Sequence, residues 1–180
     1  RRSLQPFVSG KPLPERLLAR YEYVEDSPRP VLIARPSVVP GREHRLQLAY
    51  NDAGQVTRMV ESGFSPLDAD GEPIDDPTRA TPIERTSTFA YTRIKGRSVL
   101  TATDGPLPNG PEGSPADSDI STFDWDAAGN HFTALTLPGG RRSTLEHDPA
   151  TGMLKGVRND EGLGTRYTYN LRLQPTTISL

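Results

Sequence analysis

The chain has 180 residues, enough for one domain with its own core, and its formal charge of −2 creates no broad field that would attract nucleic acid or an anionic membrane. The absence of cysteine excludes a disulfide framework, a thiolate nucleophile and a Cys-ligated metal. Only 33% of the residues are hydrophobic, whereas 16 Gly and 18 Pro exceed average usage, which indicates many short strands joined by turns.

The first segments of the chain predict strands rather than helices. The opening RRSLQPFVSG has neither Met nor an apolar signal core, so we expect an internal fragment of a longer polypeptide, with any export signal outside it. The one helix candidate is LPERLLARYEYV at 13–24, and its Tyr-x-Tyr ending fits a strand equally well. The longest apolar stretch, VLIA at 31–34, is of strand length, so no membrane-spanning segment is predicted.

A short pattern recurs along the chain: an apolar or aromatic residue, any residue, then an aromatic residue. The last three copies place Trp125, His147 and Tyr169 at intervals of 22 residues. Two polar insertions, at 65–82 and 104–119, account for much of the wider spacing of the earlier copies. The copies are YEY at 21–23, LAY at 48–50, FAY at 89–91, FDW at 123–125 and YTY at 167–169, with LEH at 145–147 as a weaker one.

Each copy predicts a hairpin. Asn51 and Asp126 can accept a hydrogen bond from the backbone two residues on, while Gly54 and Gly129 supply the positive φ that closes the turn. A returning strand follows and ends at a second turn, at ESG (61–63), LPGG (137–140) or NDEGLG (159–164).

We therefore expect an all-β array of antiparallel hairpins with a period of about 22 residues, in a single unit over 1–180 with no second domain. A WD-type propeller is a topological alternative, but this short period argues against four strands per blade. The residues assigned to the repeat motif are Tyr50, Asn51, Gly54, Tyr91, Gly96, Trp125, Asp126, Gly129, His147, Asp148, Gly152, Tyr169 and Asn170.

The outline of an aromatic residue, Asp or Asn, two residues and Gly resembles the YD repeat of the rearrangement hotspot (RHS) family. Residues 35–63 resemble the segment that recurs in bacterial members, and 145–170 resemble the variant that contains Asp-Pro-x-Thr-Gly. The copies are degenerate. Tyr91 is followed by TRIKG without an acidic residue, His147 replaces the aromatic residue, and Leu173 stands where Gly is expected.

This resemblance implies a long, spiralling sheet that curls into a hollow shell. In bacterial members the shell encloses a variable C-terminal toxic domain before delivery, and in animal teneurins a related barrel serves adhesion. The resemblance thus implies a structural, non-enzymatic segment of a secreted or cell-surface bacterial protein. Its partners would be the remainder of the same polypeptide, the enclosed toxin domain and the secretion machinery, without nucleic acid. The family's self-cleavage motifs have no match in this sequence.

The remaining residues offer little chemistry, and we expect no catalytic residue, cofactor or metal. His44, His131 and His147 are dispersed without metal-ligand spacing. The loop DADGEPIDD at 68–76 has oxygen ligands suited to calcium, but it misses the EF-hand spacing and closing Glu, so a solvated insertion is favoured. The carboxylates of this loop are Asp68, Asp70, Asp75 and Asp76.

Two other functions remain open at this point. One is an adhesin-like module that binds glycans or proteins through exposed aromatic residues and the two long loops. The other is a hydrolase built on the acidic loop.

Overall fold

The computed structural model describes residues 2–4, 7–8, 11–12, 16–68, 71–76, 79–107 and 119–180, with side chains from Leu17 onward. Most of the 104–119 insertion lies outside the described residues. No helix in the described ranges is long and apolar enough to cross a membrane. The strands are β1 (Arg2–Leu4), β2 (Phe7–Val8), β3 (Lys11–Pro12), β4 (Arg16–Tyr23), β5 (Pro30–Pro36), β6 (Glu43–Tyr50), β7 (Val56–Phe64), β8 (Pro82–Ile94), β9 (Arg97–Asp104), β10 (Ser121–Trp125), β11 (Phe132–Thr136), β12 (Arg142–His147), β13 (Leu154–Asn159), β14 (Gly164–Tyr169) and β15 (Pro175–Ser179).

The chain forms two compact units, Arg1–Ser87 and Thr88–Leu180. In the first unit the order of neighbouring strands is β1-β4-β5-β6-β7-β8, and β2 pairs with β3 in a separate small hairpin. In the second unit the order is β8-β9-β10-β11-β12-β13-β14-β15. Strand β8 contributes its first six residues to one unit and its remaining residues to the other.

The prediction of an all-β hairpin array is confirmed. The three regularly spaced motif copies end β10, β12 and β14, the first strands of the hairpins β10–β11, β12–β13 and β14–β15, and the strands of each hairpin are antiparallel. Residues 16–23 of the ambiguous segment form strand β4. The turn predicted at 61–63 is wrong, because β7 continues through it to Phe64. Gly63 is needed there for another reason: a Cβ would lie 3.0 Å from Cδ2 of His44 on the neighbouring strand.

The register gives the second unit two different faces. One face, the ladder face, carries the motif rings and the apolar residues between them. The opposite face, the polar face, carries hydroxyl and charged side chains around two small buried residues, Ala134 and Gly156. The ladder face consists of Phe123, Trp125, Leu135, Leu145, His147, Val157, Tyr167 and Tyr169, and the polar face of Asp124, Ala134, Arg142, Thr144, Glu146, Arg158, Arg166 and Thr168.

Charged side chains cover small residues in both units. Arg20 and Arg45 flank Ala34 in register, and Glu43 bonds to both arginines. Hydrogen bonding to Arg20 holds the pKa of Glu43 below its usual value. In the second unit, Arg142 pairs with Asp124 at 2.5 Å on the face that carries Ala134. The buried hydrophobic residues of the described chain are small: Ala19, Ala34, Val60, Val99 and Ala134.

Candidate functional site

The turns after Tyr50, Trp125 and Tyr169 share one bond, from the N–H of the fourth turn residue to the carbonyl of the first. The turn after Trp125 is one residue longer, because the N–H of Asp126 donates to the carbonyl of His131, five residues on, whereas the other two turns close over four residues. In the first, the N–H of Gly54 donates to the carbonyl of Asn51 at 2.8 Å. In the second, Gly129 donates to Asp126 at 3.0 Å. Gly54 and Gly129 have φ of 75° and 68°, so the predicted positive φ is confirmed at both positions. The chain reverses here because these glycines adopt the left-handed conformation without a Cβ penalty.

Side chains at the first turn position bond back to the turn. Asp126 Oδ1 accepts the N–H groups of Ala128 and Asn130, so its predicted bond two residues on is confirmed. Asn51 Oδ1 instead accepts the N–H of Gln55, four residues on. Gln55, whose Oε1 accepts from Asn51 Nδ2 at 3.1 Å, was not predicted as a residue of this turn.

The last copy repeats this amide clasp. Asn170 Nδ2 donates to Gln174 Oε1 at 3.0 Å, and Asn170 Oδ1 accepts the N–H of Gln174. The shared Asn-x-x-x-Gln spacing is the sequence signal that could have identified both clasps.

Leu173 occupies the glycine position of the last copy and retains the glycine conformation, with φ of 59°. A side chain in this region costs about 1–2 kcal/mol. We expect Leu173→Gly to raise the free energy of unfolding by about 1 kcal/mol, measured by urea denaturation. Leu171→Gly, at an exposed position in the same turn where φ is not positive, should give no gain. Equal effects of the two substitutions would contradict the assignment of strain to Leu173.

The polar atom of the motif ring joins each of these hairpins to the preceding one. Tyr50 Oη donates to the carbonyl of Pro30 at 2.8 Å. Trp125 Nε1 donates to the carbonyl of Leu100 at 2.7 Å, and Tyr169 Oη to that of Leu154 at 2.8 Å. We call each of these bonds a staple.

The staple acceptors occupy one equivalent position. Each acceptor lies opposite the motif residue of the preceding copy: Pro30 opposite Tyr23, Leu100 opposite Tyr91 and Leu154 opposite His147. The register shifts immediately before each of these motif residues. Such a bulge disrupts the strand ladder, and a ring from the next hairpin binds the carbonyl beside it.

The motif glycine also contacts the preceding hairpin. A Cβ on Gly129 would lie 3.2 Å from Cβ of Ile94, and one on Gly152 would lie 3.0 Å from Cε1 of His131. A Cβ on Gly54 would overlap the guanidinium of Arg29. The glycine therefore allows both the turn and the close approach of the neighbouring hairpin.

The copy at Tyr91 departs from this geometry. Its register shifts between Ala90 and Tyr91 as in the other copies, but β8 and β9 continue beyond the shift. The chain reverses at Lys95 and Gly96, which have φ of 45° and 86°. Positive φ at both central residues is typical of a type I′ hairpin, so Gly96 serves a different turn from the other motif glycines.

The copy at His147 replaces the staple with a stacked pair of imidazoles. The rings of His131 and His147 lie 4.7 Å apart at an interplanar angle of 21°. Gly152, with φ of 72°, closes the turn through a bond from its N–H to the carbonyl of Asp148 at 2.8 Å. An open cleft of about 600 Å³ lies along this turn and the preceding one, and both imidazoles line it.

Two turn carboxylates have altered acidity. Backbone hydrogen bonds, chiefly from Asn130, hold the pKa of Asp126 below its usual value near 3.8. Bonds from the N–H and hydroxyl of Thr151 do the same for the pKa of Asp148. Because these groups are more acidic in the folded state, their stabilisation is present above pH 3.8 and is lost as the pH falls through the lowered values.

We therefore expect stability to decline below about pH 4 partly through these two turns. The double variant Asp126→Asn and Asp148→Asn keeps an acceptor oxygen, as the natural Asn51 and Asn170 turns do. The variant should retain most of the stability of the natural chain at neutral pH. Its stability should fall less than that of the natural chain when the pH is lowered below about 4. Midpoints of urea unfolding measured from pH 3 to pH 7 test this. An unchanged acid slope in the variant would contradict it.

The acidic loop shows no arrangement for calcium in its described part. Asp68 Oδ1 accepts the N–H of Glu72 at 3.0 Å, and the N–H of Asp68 donates to the carbonyl of Glu72 at 2.9 Å, closing a turn. Asp70 lies outside the described residues. Across the described ranges, no group of three or more His, Cys, Asp or Glu side chains is placed to hold a metal ion.

No protein-family model matches the chain, and no curated protein matches it. Among solved structures, it is similar to part of a chain in the crystal structure of TcdB2-TccC3-Cdc42. The match covers 98% of this chain and 10% of that chain, with 14% sequence identity and a TM-score of 0.39. The chain thus spans about a tenth of the length of that structural neighbour.

The residues of the repeat join neighbouring hairpins through hydrogen bonds. Three of its ring positions donate to backbone carbonyls, and its turn side chains accept from backbone N–H groups. These contacts satisfy polar backbone groups at the hairpin ends, where the strand ladder does not reach them.

Proposed function

We propose that the chain is a wall segment of the β-cage of an RHS-type secreted toxin, enclosing a C-terminal toxic effector before delivery. The staple from Trp125 to Leu100 is the observation that carries this proposal, together with its equivalents at Tyr50 and Tyr169. A wall must join each hairpin to the next without gaps, and the staple does so at the hairpin ends. The motifs that resemble the RHS repeat supply the family assignment.

The same contacts favour a wall over an adhesin-like module. A ring that binds a glycan presents its face and polar atom to the ligand. Trp125 instead donates its indole N–H to the protein's own backbone and packs against Phe132, with ring centroids 6.2 Å apart. The repeated residues are therefore engaged in building the sheet. In this proposal the segment itself performs no catalysis.

Limited proteolysis of the full polypeptide that carries this segment tests the proposal. We expect its C-terminal part to resist protease, and Trp125→Ala to make that part sensitive, because removing the ring breaks a staple and opens the wall. Tyr23→Phe serves as the control, since Tyr23 is 54% exposed and its hydroxyl bonds to no residue that the structure describes. The protein should be found in the medium or at the bacterial surface.

Two results would contradict the proposal of a cage wall. One is a polypeptide without further repeats or a C-terminal domain. The other is loss of glycan or protein binding in Tyr91→Ala and Trp125→Ala variants that still fold, which would support the adhesin-like module. Loss of a hydrolytic activity on joint replacement of Asp68, Asp70 and Asp75 would support the hydrolase.

A further inference from the structure

The polar face of the second unit carries two arginines that are not in ion pairs. Arg142 pairs with Asp124, and Lys155 lies 3.5 Å from Glu146. Arg158 and Arg166 lie on the same face, and neither has a carboxylate within ion-pair distance among the residues that the structure describes. Among the described residues, no acidic side chain therefore forms an ion pair with these two arginines.

The register places the two arginines side by side. Arg158 on β13 lies opposite Gly164 on β14, and Arg166 on β14 lies opposite Gly156 on β13. The two side chains are thus diagonal neighbours across one strand pair. Their Cα atoms are about 7–8 Å apart, a distance that long side chains span. Two guanidinium groups on such a diagonal can converge on a single anion.

Each arginine lies beside a glycine on the neighbouring strand. A Cβ on Gly164 would lie 2.8 Å from Cγ of Arg158 and 2.1 Å from the carbonyl oxygen of Val157, so the stem of Arg158 lies directly over this glycine. Gly156 has no side chain to fill the space in front of Arg166. An open cleft of about 280 Å³ results, lined by both arginines and Gly156 together with Thr144, Leu145 and Glu146.

We propose that Arg158 and Arg166 form a binding site for a phosphate group. Guanidinium groups match the geometry of phosphate oxygens and bind them with charge-assisted hydrogen bonds. Thr144 adds a hydroxyl donor at the same cleft. Glu146, which lines the same cleft, pairs with Lys155 at 3.5 Å, and Asp160 accepts the N–H of Arg142 at 2.6 Å.

Titration of the full chain with inorganic phosphate and with glucose 6-phosphate, at constant ionic strength, tests the site. Calorimetry and the NMR signals of the arginine Nε–H groups report binding. We expect saturable binding with a Kd in the millimolar range. Equal affinity for the two probes assigns the site to the phosphate group alone, whereas tighter binding of glucose 6-phosphate assigns it to a phosphate ester.

Arg158→Gln and Arg166→Gln should each weaken binding about tenfold, because each removes one charged donor. Arg158→Lys keeps the charge but loses the bidentate geometry, so it should fall between Arg158→Gln and the natural protein. Arg172→Gln, in the β14–β15 turn, is the matched control and should leave the affinity unchanged. Absence of saturable binding, or equal affinity of the natural chain and both glutamine variants with unchanged circular dichroism, overturns the proposal.

Discussion

Removing a staple donor lowers the free energy of unfolding by about 1–2 kcal/mol in Tyr50→Phe and in Tyr169→Phe, and by more in Trp125→Phe, where ring volume is also lost. The substitution to Phe keeps an aromatic ring but leaves the acceptor carbonyl without its donor. For Tyr169 that acceptor is Leu154, in the preceding hairpin. Urea denaturation followed by tryptophan fluorescence measures the change in the tyrosine variants, and circular dichroism measures it in all three.

Tyr23→Phe is the matched control, because it makes the same chemical change at a hydroxyl that no described residue bonds. Its unfolding free energy should stay within about 0.5 kcal/mol of the natural value. A loss of the same size in Tyr23→Phe as in Tyr169→Phe would show that the hydroxyl matters through solvation rather than through the staple.

Adding a methyl group at Gly129 should be more damaging than removing a staple hydroxyl. Gly129→Ala combines the cost of a side chain at φ of 68° with a Cβ placed 3.2 Å from Cβ of Ile94. We expect a loss of about 2–4 kcal/mol in the free energy of unfolding, of which about half comes from the backbone. Thermal and urea unfolding measure it.

Gly162→Ala separates the two contributions. Gly162 has φ of 79° and bonds to Asn159 as Gly129 bonds to Asp126, but a Cβ there would meet nothing within 4 Å. Its substitution should cost only the backbone part, about 1–2 kcal/mol. If Gly162→Ala is as costly as Gly129→Ala, contact with Ile94 contributes nothing to stability.

The hairpins and their turns could be predicted from the sequence because their causes are local. An aromatic residue at the end of a strand, then Asn51 or Asp126 and a glycine three residues later, identifies a reversal wherever it occurs. Leu173 could be recognised as a degenerate copy for the same reason, since its neighbours keep the pattern. The turn at 61–63 was mispredicted because Gly63 leaves space for the ring of His44 on the neighbouring strand. A contact between strands of this kind has no local sequence pattern.

The staples could not be predicted because each joins residues separated by one hairpin and depends on a bulge. The donors Tyr50, Trp125 and Tyr169 were identified from the sequence as motif residues. Their acceptors could not be identified in this way, because every residue carries a backbone carbonyl. The register of the strands decides which carbonyl faces the ring. The stacking of His131 on His147 was missed likewise, since it joins two hairpins.

The staples have a direction. Tyr50, Trp125 and Tyr169 each reach back to a carbonyl that precedes them in the chain, so a newly made hairpin finds its docking point already synthesised. A ribosome releases the chain in this same order, and each of these three hairpins can be secured as it emerges. This asymmetry suits an array that grows from its N-terminal end.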